Sequence, residues 1–395
     1  MQKLLFITTS SLATNPRLVK EFEFLKETFK CTVICFEHDD WSLEPSKKIQ
    51  GRNAEVDFIS VNRHKEFYTT LISKLYHKIA IFLNPLFHQN AKIAAFASND
   101  KTPQLYFKVK KFYHKNKPDR VIAHNLGAFY PALQLAQKTG CKLQLDIEDY
   151  HPGEEIYYNK KHDVQNRILI MQNSFSNASA ITYASEGIKI KCEAIFKVKS
   201  DTKTRVIINA FKSDDFLLLN SNNEGVHCVW FSQNISHKRG LEDVFEAAQE
   251  LPNINFHLIG KPNLEFIEAM MPSENIHIHQ PMPQEELHEF LAGMDIGLAL
   301  EDKQSDGNRD ICLTNKFLAY AQAGLYIFAT DTFGQKHFLN QLGMNAGKII
   351  NASLKDAINN LDKRVLAIDE RRDRWERAKA FSWEKQSEVL LEVMK

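Results

Sequence analysis

The sequence predicts an α/β chain of two Rossmann-like, doubly wound parallel-sheet domains facing each other across a cleft. Three observations carry that expectation. Short apolar, β-branched runs alternate with amphipathic helical runs from end to end. The strand runs lack strict polar alternation, as expected when both faces of a sheet are covered. The pattern weakens once, at residues 211–225 ("FKSDDFLLLNSNNEG"), and then restarts, which divides the 395 residues into two halves of ordinary domain size.

In the first half the strand "KLLFITT" leads to the helix "PRLVKEFEFLKETF" and the strands "CTVICFE" and "VDFISVN". "DRVIAHN", the helix "PALQLAQKTG", "KLQLDIE", "AITYAS" and "RVIINA" continue the series. The second half opens with "HCVWFSQ" and the helix "GLEDVFEAAQEL". "INFHLIG", "IHIHQ", the helix "QEELHEFLAGM", "DIGLALE", "YIFATD" and "GKII" follow. The expected plan is an N-terminal domain over residues 1–210 with a helical insertion near 65–115, a linker at 211–225 and a second domain over 226–375. A last helical piece, 376–395, is expected to pack back on the first domain.

The insertion breaks the pattern. Residues 65–97 are rich in aromatics, Leu and Ile with interspersed Lys and His, and "YFKVKKFYHKNK" adds more basic charge. One reading of such a basic aromatic helix is that it lies on a membrane surface. The commoner reading is a helical cover over the sheet with its lysines solvated.

Composition excludes several classes. Lys plus Arg is 50 and Asp plus Glu is 49, so bulk charge nominates no nucleic acid or other polyanion. The six cysteines sit mostly in apolar strand runs and read as buried reduced thiols, which suits a cytoplasmic chain. "MQKLLFITTSS" reads as a strand rather than a signal peptide, and no apolar run is long enough to span a bilayer.

In doubly wound domains ligands bind beyond the carboxyl ends of strands, so the loops there carry the candidates. After the first strand, "TTSSLATNPRLVKEF" supplies hydroxyls at Thr9 and Ser10, with Thr14 or Asn15 placed to cap a helix that begins at Pro16. No Gly-x-Gly-x-x-Gly is present, so dinucleotide binding is unsupported. After "KLQLDIE" come Glu148, Asp149, His151, Glu154 and Glu155. They read either as an exposed acidic turn or as groups that orient hydroxyls and move protons. Their spacing matches no usual metal-ligand pattern, so no metal or cofactor is expected. After "HCVWFSQ", Lys238 and Arg239 precede Gly240 and a helix, which reads as an anion site or a solvated basic turn. In "NRDICLTNKFLAYAQAG" Thr314 is placed to cap a helix starting at Asn315. Lys316 in its first turn must then snorkel to water or meet an anion.

In this order and spacing the stretches resemble the GT-B-fold nucleotide-sugar glycosyltransferases of the retaining, family 4-like group, bacterial surface-polysaccharide type. The carrying motifs are "FSQNISHKRGLEDVFEA", "LIGKPN", "IHIHQPMPQEEL", "MDIGLALE" and "NKFLAYAQAGLYIFATD", with "NPRLVKE", "DIEDYHPGE", "TYASEG" and "VIINAF" in the first half. The resemblance implies sugar transfer from a nucleotide-diphosphate sugar to a saccharide or lipid-linked acceptor, without a metal. It implies a cytoplasmic protein, with peripheral contact to the inner membrane face as an open alternative. It places Arg239, Lys238, Lys316 and Asn315 on the donor diphosphate. Gly260, Ile278, Pro281, Met282 and Ala319 fall on the nucleotide side. Thr9, Ser10 and Asn15 fall on the acceptor side, and Asp310, His151, Glu148 and Asp149 at the reacting centre.

Two departures stand out. The family's ribose-binding Glu falls at Ala319, and its partner acid falls near Ile311, with Asp310 the nearest carboxylate. A lost buried carboxylate costs about 1–3 kcal/mol of donor binding. A glycosyltransferase-like protein without turnover and a nucleotide-sugar epimerase on the same fold are therefore the alternatives.

Overall fold

The chain, described here from a computed structural model, covers residues 1–395 apart from 115, 155–159, 220–223, 302–306 and 352. It divides into two compact units: Met1–Ile207 with Val389–Lys395, and Ile208–Glu388.

The first unit holds a parallel sheet of β1 (Lys3–Thr8), β2 (Lys30–Glu37), β3 (Asp57–Asn62), β4 (Arg120–His124), β5 (Lys142–Ile147), β6 (Ala180–Tyr183) and β7 (Lys203–Val206) in the order β3-β2-β1-β4-β5-β6-β7. The second holds β8 (Val226–Ile235), β9 (Ile254–Pro262), β10 (Ile276–His279), β11 (Ile296–Ala299), β12 (Tyr326–Thr330) and β13 (Gly347–Ile350) in the order β10-β9-β8-β11-β12-β13, also parallel. In both, successive strands move outward one way from a central strand and then restart on its other side. The order reverses between β1 and β4 and between β8 and β11, which are the switch points where a crevice opens. Strands buried on both faces explain the missing polar alternation: β4 and β12 are buried at every residue.

Two sequence expectations about organisation change. The unit boundary falls at Ile207/Ile208, ahead of the polar run. Residues 211–219 are not a free linker, because Phe211 and Phe216 are buried and both rings meet His288 within the second unit. Two aromatics outweigh the polar composition around them. The last residues, Val389–Lys395, group with the first unit, where Arg120 Nη2 donates to the Met394 carbonyl at 3.1 Å.

Three helices, Phe67–Leu83, Ala91–Ser98 and Thr102–Tyr113, lie between β3 and β4. The expected burial of an aromatic stripe fails on the first of them. Its buried residues are Thr70, Ser73 and Ala80, while Tyr68, Leu71, Leu75, Ile79 and Phe82 are exposed.

Candidate nucleotide site and the buried charge network

The switch point of the second sheet is a cavity of about 450 Å³. Phe231, Ser232 and Gln233 reach it from the end of β8, and Glu301 follows β11. The β8 ladder slips between Phe231 and Asn234, a bulge that splays the strand end at the cavity rim. Gly260 on β9 permits the bulge. Its φ is 155°, and a Cβ there would lie 2.6 Å from the Ser232 carbonyl oxygen. Gly260 therefore shapes the cavity through the backbone instead of lining it.

Its lining has an apolar set, Phe231, Ile259, Pro281, Met282 and Leu287, and a polar set, Arg239, Glu301, Thr314, Asn315 and Lys316. Arg239 sits in the turn before the helix Glu242–Glu250, between two left-handed residues, Lys238 (φ 60°) and Gly240 (φ 69°). A left-handed lysine is a strained choice, held here to aim the residue that follows it. Lys238 itself is exposed and is not part of the cavity wall.

Lys316 resolves the puzzle of a cation at a helix start in a way the sequence did not suggest. It does not snorkel to water, and it has an internal partner before any ligand arrives. Its ammonium is buried, 2.7 Å from Glu301 Oε1 and donating to the Leu300 carbonyl at 2.6 Å, with the Trp230 ring 5.4 Å away. Burial pulls its pKa below the ordinary lysine value. Glu301 opposes that, and the charges of Arg239 and Arg309 add to it. Thr314, expected to cap the helix Asn315–Gln322, makes no cap bond; its Oγ1 is buried at the cavity lining with no partner among the described residues. Glu301 was missed because "GLALE" reads as a strand end. The signal available was a carboxylate at the carboxyl end of the switch-point strand.

Other candidates fall elsewhere. Ala319 is 0% exposed and belongs to the core, not to the cavity wall. Asp310 is exposed and accepts the Phe333 N–H at 3.1 Å, at the start of the helix Phe333–Leu342. Asn315 lines the cavity and accepts from Asn209 Nδ2 at 3.1 Å. Ile278 is half-buried on β10.

In the first unit, Asn15 is buried and spent on capping the helix Pro16–Leu25, its Oδ1 accepting the Leu18 N–H at 3.0 Å. Thr9 is buried and donates to Asn125 Oδ1 at 2.7 Å, while Ser10 Oγ accepts from Asn125 at 3.1 Å. His151 is buried with Nδ1 3.0 Å from Glu154, which also takes Arg167 at 2.6 Å. Burial lowers the imidazole pKa, but the bond and charge of Glu154 overcome it and the net shift is upward. Its Nε2 has no partner among the described residues. Asp149 is half-buried, and Glu155 lies outside the described residues.

Glu148 is half-buried and 3.1 Å from His124 Nδ1. That contact leads into a network the sequence reading missed. His124 Nε2 lies 3.2 Å from Glu21, and His124 Nδ1 lies 3.2 Å from Asp146. Arg17 clamps Asp146 through Nε (2.6 Å) and Nη2 (2.7 Å), donates to the Ile207 carbonyl, and shares Asp146 with the Thr182 hydroxyl. Burial raises the Glu21 pKa. It opposes protonation of His124 but is overcome by Glu21 and Asp146, so His124 stays well above its usual value. Burial also raises Asp146, and the Arg17 charge outweighs it and holds the group below the usual carboxylate range. Glu21, His124 and Asp146 bring their ligating atoms within 4.8 Å of one another. Both Asp146 oxygens already serve Arg17, and His124 lies between the two acids, while the Glu21 oxygens and His124 Nε2 have no hydrogen bond among the described residues. The visible signal was a charge inside each of three apolar runs: "PRLVKEFEF", "DRVIAHN" and "KLQLDIE".

Two parallel-sheet α/β units with these sheet orders define the GT-B fold. Among solved structures, the chain is similar over its full length to sucrose-phosphate synthase from Thermosynechococcus elongatus. The TM-score is 0.69 at 11% identity, with 100% of this chain and 98% of that one covered. It is also similar to HepE of Anabaena solved with UDP, with TM-score 0.68, 11% identity and 100% and 99% covered. A third is the lipopolysaccharide outer core galactosyltransferase WaaB, with TM-score 0.64, 11% identity and 100% and 99% covered. No family model matches the sequence, and no curated protein matches it.

Proposed function

We propose that the protein is a glycosyltransferase that moves a sugar from a nucleotide-diphosphate sugar to a saccharide or lipid-linked acceptor of surface polysaccharide assembly, with retention at the anomeric carbon. The observation that carries this reading is the cavity at the switch point of the second sheet, lined by both apolar and cationic side chains. Its apolar residues suit a base and its cations suit a diphosphate. The same fold in Anabaena HepE has been solved with UDP-glucose.

In the transfer, the bond from the anomeric carbon to the diphosphate breaks and its electron pair leaves with the nucleotide. The acceptor oxygen forms the new bond and its proton goes to a base. Arg239 and Lys316 face the growing charge on the leaving group and stabilise it without a metal. Glu301 fixes the Lys316 ammonium in place, and the Thr314 hydroxyl donates to a phosphate oxygen. Glu148, held by His124, is the assigned carboxylate of the first unit. A cytoplasmic location belongs to the same proposal, because nucleotide-sugar donors are made there.

A panel of nucleotide-sugars incubated with the full chain tests the reading. Nucleotide diphosphate released together with a transferred or hydrolysed sugar supports it. Binding without release assigns a non-catalytic partner, an isomerised nucleotide-sugar assigns an epimerase, and no binding across the panel overturns it.

A further inference from the structure

The helix Phe67–Leu83 is inverted. Thr70, Ser73 and Ala80 face inward, and the inward residues are tied by polar bonds: Thr70 Oγ1 to the Arg63 carbonyl (2.9 Å), Ser73 Oγ to the Asp100 carbonyl (3.0 Å) and His77 Nδ1 to the Phe96 carbonyl (2.6 Å). Its large apolar residues lie outward. Tyr68, Leu71, Leu75, Ile79 and Phe82 recur at helical spacing along one face and are between 43% and 79% exposed. A helix folded against a protein core for its own sake turns its apolar stripe the other way. A contiguous apolar face of this kind marks a surface that another apolar phase covers.

Charge identifies the phase. From residue 67 to 118 the sequence has nine lysines and one acidic residue, Asp100, in a chain whose formal net charge is only +1. Lys74 and Lys78 are exposed on the helix itself. At its first turn a cavity of about 430 Å³ is lined by Arg63, His64, Phe67, Thr70, Leu71 and Lys74. Arg63 gives Nη1 to Asp100 at 2.6 Å, while its Nε and Nη2 are buried with no partner among the described residues. Those two nitrogens form the side-on edge that takes a phosphate in two bonds. No helix among the described residues is long and apolar enough to cross a membrane. The helix therefore lies in the plane of the interface.

We propose that the helix Phe67–Leu83 docks the protein on an anionic phospholipid bilayer. The outward face enters the headgroup–acyl boundary, and the Arg63–Lys74 cavity holds one lipid headgroup phosphate. This inference rests on the first unit alone and stands or falls separately from the proposed sugar transfer.

The test is flotation of the full chain with vesicles of phosphatidylcholine alone and of phosphatidylcholine mixed with phosphatidylglycerol. Binding to the mixed vesicles, weakened by salt, is expected, with much weaker binding to phosphatidylcholine. Lys74→Gln with Lys78→Gln lowers the anionic partition about 25-fold, at about fivefold per lysine. Arg63→Gln weakens binding to the mixed vesicles and leaves the phosphatidylcholine level unchanged. Leu75→Glu with Ile79→Glu abolishes binding and keeps the melting temperature, because both side chains are exposed. Absence of binding to the mixed vesicles, or binding indifferent to Leu75 and Ile79, overturns the proposal. Self-association in sedimentation velocity that the same pair removes, without lipid binding, also overturns it and assigns the face to a second copy.

Discussion

Arg239→Ala separates the diphosphate assignment from structural roles. Arg239 lines the cavity, is half-exposed and has no ion-pair partner among the described residues, so its removal leaves no buried orphan. A charge-assisted hydrogen bond to a ligand is worth about 1.5–3 kcal/mol, which converts to roughly a 10- to 150-fold weaker Kd. Stability should change by less than about 0.5 kcal/mol, as at an ordinary surface position. Isothermal titration of UDP and other nucleoside diphosphates reads the first quantity, and a thermal melt reads the second. Lys316→Met supplies the contrast. It also loses a phosphate contact, but leaves the Glu301 carboxylate buried and unpaired, at a cost of about 3–5 kcal/mol of stability. Wild-type affinity in Arg239→Ala, with wild-type protein binding a nucleoside diphosphate, refutes the assignment of that arginine.

Other outcomes follow from the same geometry. Nucleoside diphosphate affinity should fall as pH rises through the depressed pKa of Lys316, because the ligand favours its charged form; a pH series of Kd values, flattened in Lys316→Gln, checks this. Asp146→Asn leaves Arg17 and His124 without their shared counter-ion and should cost about 3–5 kcal/mol. For a unit of this size that is on the order of 10 °C in melting temperature, read by calorimetry. The His124 pKa is raised in the folded state, so its contribution is fully present below the unfolded value of 6.5 and is lost as pH rises through the folded one. The stability gap between wild type and His124→Gln should therefore be largest in acid and close in alkali. Thr314→Val, which keeps shape and removes an unpartnered hydroxyl, should weaken nucleotide binding by about 0.5–1.5 kcal/mol and leave stability unchanged or higher.

Much of the fold was legible in the sequence because a parallel sheet writes each strand as a short apolar run; among the described strands β7 (Lys203–Val206), with its Lys and Arg, is an exception. Arg239 was legible in a turn after a strand, Asn315 and Lys316 at a helix start, and Pro281 and Met282 through the family resemblance; one cavity gathers them. What stayed hidden were pairings across the sequence. Glu301 meets Lys316 across a connection that no local pattern encodes, and Arg17 on the helix Pro16–Leu25 meets Asp146 on β5, far along the chain. Ala319 shows the limit of helical spacing: it lies one turn past Asn315, yet the helix points it into the core. Periodicity gives the apolar face of the helix Phe67–Leu83 but not what that face meets, so a cover for the sheet and a surface for lipid read alike.

The central claim is that the second unit's switch-point cavity binds the nucleotide diphosphate of a sugar donor. A crystal structure with bound UDP, or whichever nucleoside diphosphate binds in the titration, tests it most directly. The account predicts phosphate oxygens within hydrogen-bond reach of Arg239, Lys316 and Thr314, and a base against Pro281 and Met282. A nucleotide bound elsewhere, or a cavity left empty at saturating nucleotide, contradicts it.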